Sequence, residues 1–165
     1  MPNCADASQI KVDLGPYGEF LFPDKVNFGS ARGFDVRGYV YVIGPVGEKR
    51  VNKIGSAKSV LARLKMLQSA SWQRLQLRGA VPIICGSPVK IEFAAHTLAG
   101  DRARRLQGEW FSITPESAIE CIAEAAKAQG AEFISLAEME RQHRQEVAAL
   151  NAADLAAKRR RLGLD

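Results

Sequence analysis

Long apolar runs are missing from this chain. No stretch reaches about 18 consecutive apolar residues, the length a helix needs to cross a bilayer, so no membrane span is expected. Cysteine is scarce: Cys4, Cys85 and Cys121 lie far apart, are odd in number and form no CxxC pair. That pattern excludes a disulfide framework and points to a reducing, cytoplasmic setting. The opening MPNCADASQIKVDLG lacks the basic-then-apolar order of a secretory signal. Acidic residues are thin in the middle of the chain, where residues 37–114 hold only four.

What is present suits one packed domain with appendages: 165 residues, 47% hydrophobic and 25% charged. The net charge of +5 is unevenly spread. Residues 1–36 carry 3 Lys/Arg against 5 Asp/Glu, residues 37–114 carry 13 against 4, and residues 115–165 carry 7 against 9. The excess of +9 in the central segment draws polyanions, nucleic acid first; a solvated surface is the plainer alternative.

Along the chain, the Gly- and Pro-rich residues 1–36 read as an extension packed on the main domain, with Phe20, Phe22, Val26 and Phe28 in a short strand or hairpin. Residues 37–130 read as the central domain. Tyr39–Ile43 is β-branched and aromatic, Gly44-Pro45-Val46-Gly47 is a turn, and Arg50–Gly55 is a second strand, which together predict a β-hairpin. Val60, Leu61, Leu64 and Leu67 recur at helical spacing behind a cap at Ser56 or Ser59. A third strand falls within LQLRGAVPIIC, residues 75–85, and a short one at Trp110–Ile113. Ser87-Pro88 and Thr114-Pro115 each set a cap before a proline at the first helical position, where its missing N–H costs nothing. The first of these helices runs to about Ala99; the second carries the stripe Ala118, Ile119, Ile122 and Ala126 and stops at Gly130. Ser135-x-x-Glu138 is a capping box that opens a long helical arm, residues 131–165, with a thin seam at Leu136, His143, Leu150 and Ala157 and a basic tail at Lys158–Arg161. The fold class is α+β: a small mixed or antiparallel sheet, a hairpin plus one or two strands, flanked by helices.

Several residues could carry chemistry. Strand alternation places Tyr39, Tyr41 and Ile43 on one face of the hairpin, and Lys53 sits in its second strand. A cation near a phenol favours the phenolate, so Lys53 is expected to lower the Tyr41 pKa. Arg63, on the flank of the next helix, offers a planar fork of donors suited to phosphate. Glu92 and His96 are four apart and share one helix face. One carboxylate with waters and a phosphate oxygen is a common way of holding Mg²⁺. Each residue also has a bland reading: a core tyrosine, a snorkelling lysine, a wet arginine, a surface acid at a helix N-terminus.

Taken in order, GYVYVIG, VNKIGSA, LARLKML, IEFAAH and GEWF resemble the GIY-YIG nuclease superfamily, in particular its phage-associated branch, over roughly residues 37–114. The resemblance implies a metal-dependent DNA endonuclease. Its catalytic residues would be Tyr41, Lys53 (in place of the usual second tyrosine), Arg63 on the scissile phosphate and Glu92 holding a single Mg²⁺ or Mn²⁺. Tyr39, His96 and Glu109 are secondary candidates, and Lys49, Arg50, Lys58, Lys65, Arg102, Arg104 and Arg105 would line the nucleic acid. The asparagine found late in classical members has no counterpart here. A DNA-binding module that has lost its chemistry is the main alternative; a third treats the C-terminal helix as an oligomerising arm, through which a homodimer would form.

Overall fold

The expected hairpin lies at the centre of the sheet. In the computed structural model, which describes residues 17–21 and 36–164, strand β1 (Gly38–Pro45) pairs with β2 (Val51–Ala57) in the register Tyr41↔Gly55 and Ile43↔Lys53. Helix α1 (Val60–Ser69) leads to the long strand β3 (Leu75–Cys85), which flanks β1 on its other side. Helix α2 (Pro88–Arg102), strands β4 (Arg105–Gln107) and β5 (Trp110–Ser112), helix α3 (Pro115–Ala128), strand β6 (Glu132–Phe133) and helix α4 (Leu136–Arg161) complete the order. The sheet runs β4-β5-β2-β1-β3-β6 and every pairing in it is antiparallel.

Side-chain alternation splits this sheet into two cores. Val40, Val42, Ile54, Val81 and Ile83 face α2 and α3, where Ile91, Ala95, Ala99, Ile119 and Ile122 are fully buried. Tyr39, Tyr41 and Ile43 face α1 and a smaller core with Val60, Leu64, Leu67 and Ala80. Burying each branched or aromatic side chain is worth about 1.5–3 kcal/mol, so the α2–α3 layer supplies most of the cohesion.

The helix starts are set by the caps that the sequence shows. The hydroxyls of Ser59, Ser87, Thr114 and Ser135 accept from the amides of Ala62, Lys90, Ser117 and Glu138. Gly130, at φ +64°, takes the left-handed position after α3.

Several expectations need correction. The sheet has six strands, two or three more than the sequence suggests, because β4 and β6 are only three and two residues long and carry no readable alternation. Strand β2 runs on to Ala57, so Ser56 lies inside the strand and Ser59 is the cap. Of the N-terminal expectation, Phe20 is buried against the larger core, while Phe22, Val26 and Phe28 lie outside the described residues. In α4, Met139 is buried and Leu136 packs under α1. Farther along, Val147, Leu150, Leu155 and Leu162 are exposed, so the seam has no partner among the described residues. No described helix is long and apolar enough to cross a membrane.

Candidate active site

Tyr41 and Gly55 face each other across the hairpin, and the absent side chain at 55 makes the site. A Cβ there would sit within about 2.5 Å of Tyr41 Cζ, so the tyrosine ring occupies the space that glycine leaves. Gly55 therefore serves a close approach within the strand; it does not release the chain toward α1, because β2 continues past it.

The Tyr41 hydroxyl is fully buried, and its one polar neighbour is the Arg63 guanidinium from α1, whose buried Nε has no well-formed hydrogen bond of its own. Burial pushes the Tyr41 phenol up, the Arg63 guanidinium beside it pulls the other way, and the Glu92 carboxylate adds to the rise. This corrects the expectation of a phenol lowered by Lys53: desolvation outweighs the nearby cation, and the cation that acts on Tyr41 is Arg63. Burial also pushes the Lys53 ammonium down, against the pull of Glu92, while Arg63 adds to the fall. Lys53 is nearly buried and its Nζ pairs directly with the half-exposed Glu109 carboxylate from the β4–β5 turn. The backbone carbonyl of Glu109 also accepts from the Ile54 amide, so the same turn is tied to β2 twice.

Glu92 projects from α2 with 16% of its side chain exposed. One carboxylate oxygen takes the Ser56 hydroxyl and the other lies 3.8 Å from His96 Nε2. That nitrogen is 2.9 Å from the Ile54 carbonyl. A carbonyl only accepts, so His96 Nε2 carries the proton and donates it. His96 thus pins strand β2 to α2 while its ring lies 5.6 Å from Phe111.

The fold therefore brings Tyr41, Lys53, Arg63 and Glu92 together: the charges of Arg63 and Glu92 bear on both Tyr41 and Lys53. Of the secondary candidates, Glu109 joins the cluster through Lys53 and His96 stands behind Glu92. Tyr39 is buried in the core under α1, its phenol pushed up by burial.

The donor set for a metal is narrow. Among the described residues no three or more His, Cys, Asp or Glu side chains gather, and Glu92 is the single carboxylate of the cluster that Lys53 does not occupy. One partly exposed carboxylate fits a hydrated Mg²⁺ or Mn²⁺, an ion that keeps most of its waters and takes phosphate oxygens from its substrate.

The seven basic residues expected on nucleic acid are all exposed. Lys49 and Arg50 are at the hairpin tip, and Lys58 and Lys65 on and before α1. Arg50, Arg102 and Arg104 line one polar cavity of about 360 Å³ at the foot of α3. Arg102 is paired with Glu124, and Arg105 lies over the Phe111 ring at 5.3 Å.

Sequence reasoning missed a second polar cluster. Arg78 of β3 is buried and donates to the carbonyls of Pro45 and Glu48 at 2.5 and 2.9 Å, and to Asn52 Oδ1 at 3.1 Å. Asn52 in turn donates to the carbonyls of Lys49 and Ile113 at 2.9 and 2.6 Å. Together they fix the turn between β1 and β2. An arginine inside the apolar run LQLRGAVPIIC was the available signal. Ser56 was weighed only as a cap, and its place opposite Glu92 needed the true length of β2.

Residues 38–126, more than half of the chain, match the family model of the T5orf172 domain. This corrects the expected membership of the GIY-YIG superfamily, which rested on five short motifs rather than on the whole span. No curated protein and no solved structure matches the chain.

Proposed function

We propose that this chain, which belongs to the T5orf172 domain family, is a metal-dependent endonuclease that hydrolyses DNA phosphodiester bonds at the cluster of Tyr41, Lys53, Arg63 and Glu92. The observation that carries the reading is the pair of buried polar atoms, Tyr41 Oη and Arg63 Nε, with no well-formed bond outside the Tyr41–Arg63 pair, beside a single carboxylate. Buried polar groups are almost always satisfied within the protein, and exceptions call for a ligand or a catalytic role. A phosphate oxygen would accept from both.

In this reading Arg63 and Lys53 offset charge that grows on the non-bridging oxygens. Tyr41, held neutral by burial, donates its hydroxyl rather than acting as a phenolate base. Glu92, aimed by Ser56, holds the divalent ion, which supplies Lewis-acid polarisation of phosphate and water oxygens. Free Cys85 and Cys121 accord with a cytoplasmic setting, and a phage or mobile-element source and a homodimer through α4 belong to the same proposal.

The test is nicking of supercoiled plasmid across a series of Mg²⁺, Mn²⁺ and chelator. Cutting that needs the metal and is lost in Glu92→Ala is expected. DNA that shifts on a gel but stays intact with every metal would favour the second reading, a DNA-binding module without chemistry. The complete burial of Tyr41 and the bond that ties Glu92 to Ser56 speak for that alternative.

A further inference from the structure

Trp72 is 93% exposed, the most exposed large apolar side chain among the described residues. Tryptophan is the largest apolar surface a residue can offer and is usually well covered, so an isolated, fully presented indole is unusual. The loop that carries it is braced. Gln68 donates through Nε2 to the carbonyls of Ser71 and Gln73 at 3.4 and 2.9 Å, and its Oε1 accepts from the Leu75 amide at 2.7 Å. Ser71 Oγ donates to the Gln73 carbonyl at 3.0 Å, and the Val46 amide to the Arg74 carbonyl at 2.8 Å. Five hydrogen bonds thus fix the backbone on both sides of Trp72 while nothing in the protein covers the ring. A loop backbone ordered before it meets a partner has little entropy left to lose on binding.

The charge around it selects the partner. From Lys49 to Ile91 the chain has no Asp or Glu but nine Lys or Arg. Lys58, Lys65 and Arg74, before, on and after α1, are exposed and stand outside every ion pair among the described residues. An apolar peptide would gain nothing from this field. A polyanion with accessible flat faces would gain from both the charge and the indole. Bases in an intact duplex are already stacked and hide their faces.

We propose that Trp72 is a stacking platform for an unpaired base, with the exposed Lys58, Lys65 and Arg74 before, on and after α1 supplying charge along the strand's path, so that the protein prefers single-stranded or splayed nucleic acid to intact duplex. The inference rests on the nucleic-acid reading above, and names the form of the substrate that reading leaves open.

The experiment is metal-free binding of the full chain to labelled oligothymidine and to a blunt hairpin duplex, followed by anisotropy and by tryptophan emission. Subtracting the emission of Trp72→Phe from that of the wild type isolates Trp72 from Trp110. Oligothymidine should quench the Trp72 signal. Trp72→Ala should weaken oligothymidine binding by about 5- to 150-fold, the range for loss of one base–aromatic stack, with Trp72→Phe retaining most of it. Duplex binding should change far less. Trp72 covers no core, so both variants should melt with the wild type. Unchanged oligothymidine affinity in Trp72→Ala would overturn the stacking role while leaving the endonuclease proposal standing. Failure of the wild type to bind either nucleic acid would overturn both. A Trp72 signal that responds to anionic phosphatidylserine vesicles and not to oligothymidine would overturn it in favour of a lipid surface.

Discussion

The hairpin carries two buried arginine clusters at opposite ends of β2, and they are built in opposite ways. Toward the turn, Arg78 and Asn52 send five hydrogen bonds to four carbonyls and to each other. At the other end, Arg63 Nε and Tyr41 Oη are just as hidden and have no well-formed hydrogen bond to the rest of the protein, only the Arg63 guanidinium acting on the phenol. The first cluster is closed by the protein's own backbone and stabilises the turn. The second has donors left over and a lone carboxylate beside them, as expected of a site completed from outside. Burial alone does not separate the two; whether the polar atoms are satisfied does. Arg78 keeps one unpartnered atom of its own, Nε, yet its two terminal nitrogens are both engaged.

The largest expected effect comes from opening the closed cluster. Arg78→Leu leaves the carbonyls of Pro45 and Glu48 and the side chain of Asn52 short of donors, and should cost about 3–5 kcal/mol in urea unfolding. Arg63→Ala and Glu92→Ala should do the reverse. Each should lower the plasmid-nicking rate by about 10²- to 10³-fold, with a stability loss of no more than about 1–1.5 kcal/mol, because Arg63 Nε lacks a partner and Glu92 gives up only its bond from Ser56. A loss of stability as large as that of Arg78→Leu would erase the distinction between the clusters. Next, Gly55→Ala forces a methyl against the Tyr41 ring and should cost about 1–3 kcal/mol in thermal or urea unfolding. The smallest effect is on pH dependence. A tyrosine raised in the fold contributes stability that is whole below the unfolded pKa, near the usual 10.0, and lost as pH rises through the higher folded value. Tyr41→Phe should therefore flatten the alkaline fall in unfolding free energy, with Lys53 common to both proteins and cancelling in the difference.

The sequence was readable where a strong local rule applied. The alternation in Tyr39–Ile43, the cap-plus-proline pairs and the stripe of α3 each depend on neighbours within a turn or two, and each is found in place. Strand β6 was unreadable because it exists only through pairing with the distant β3, and β4, although it pairs with the neighbouring β5, is too short to show an alternation. The four residues proposed for the site could be picked out from the sequence, and in the fold the charges of Arg63 and Glu92 bear on Tyr41 and Lys53. Their electrical state could not: a pKa shift depends on how much water is lost, and Tyr41 has lost all of it. The same holds for Arg78 and Asn52, whose partners are carbonyls that no sequence pattern marks.

The two outermost strands have a consequence of their own. By themselves, outermost strands of three and two residues give a visitor only a short ladder of amides and carbonyls to extend. Growth by adding a strand onto β4 or β6 is thereby discouraged, and the margin with more backbone to offer is the eleven-residue β3, of which β6 covers only Ile83 and Cys85.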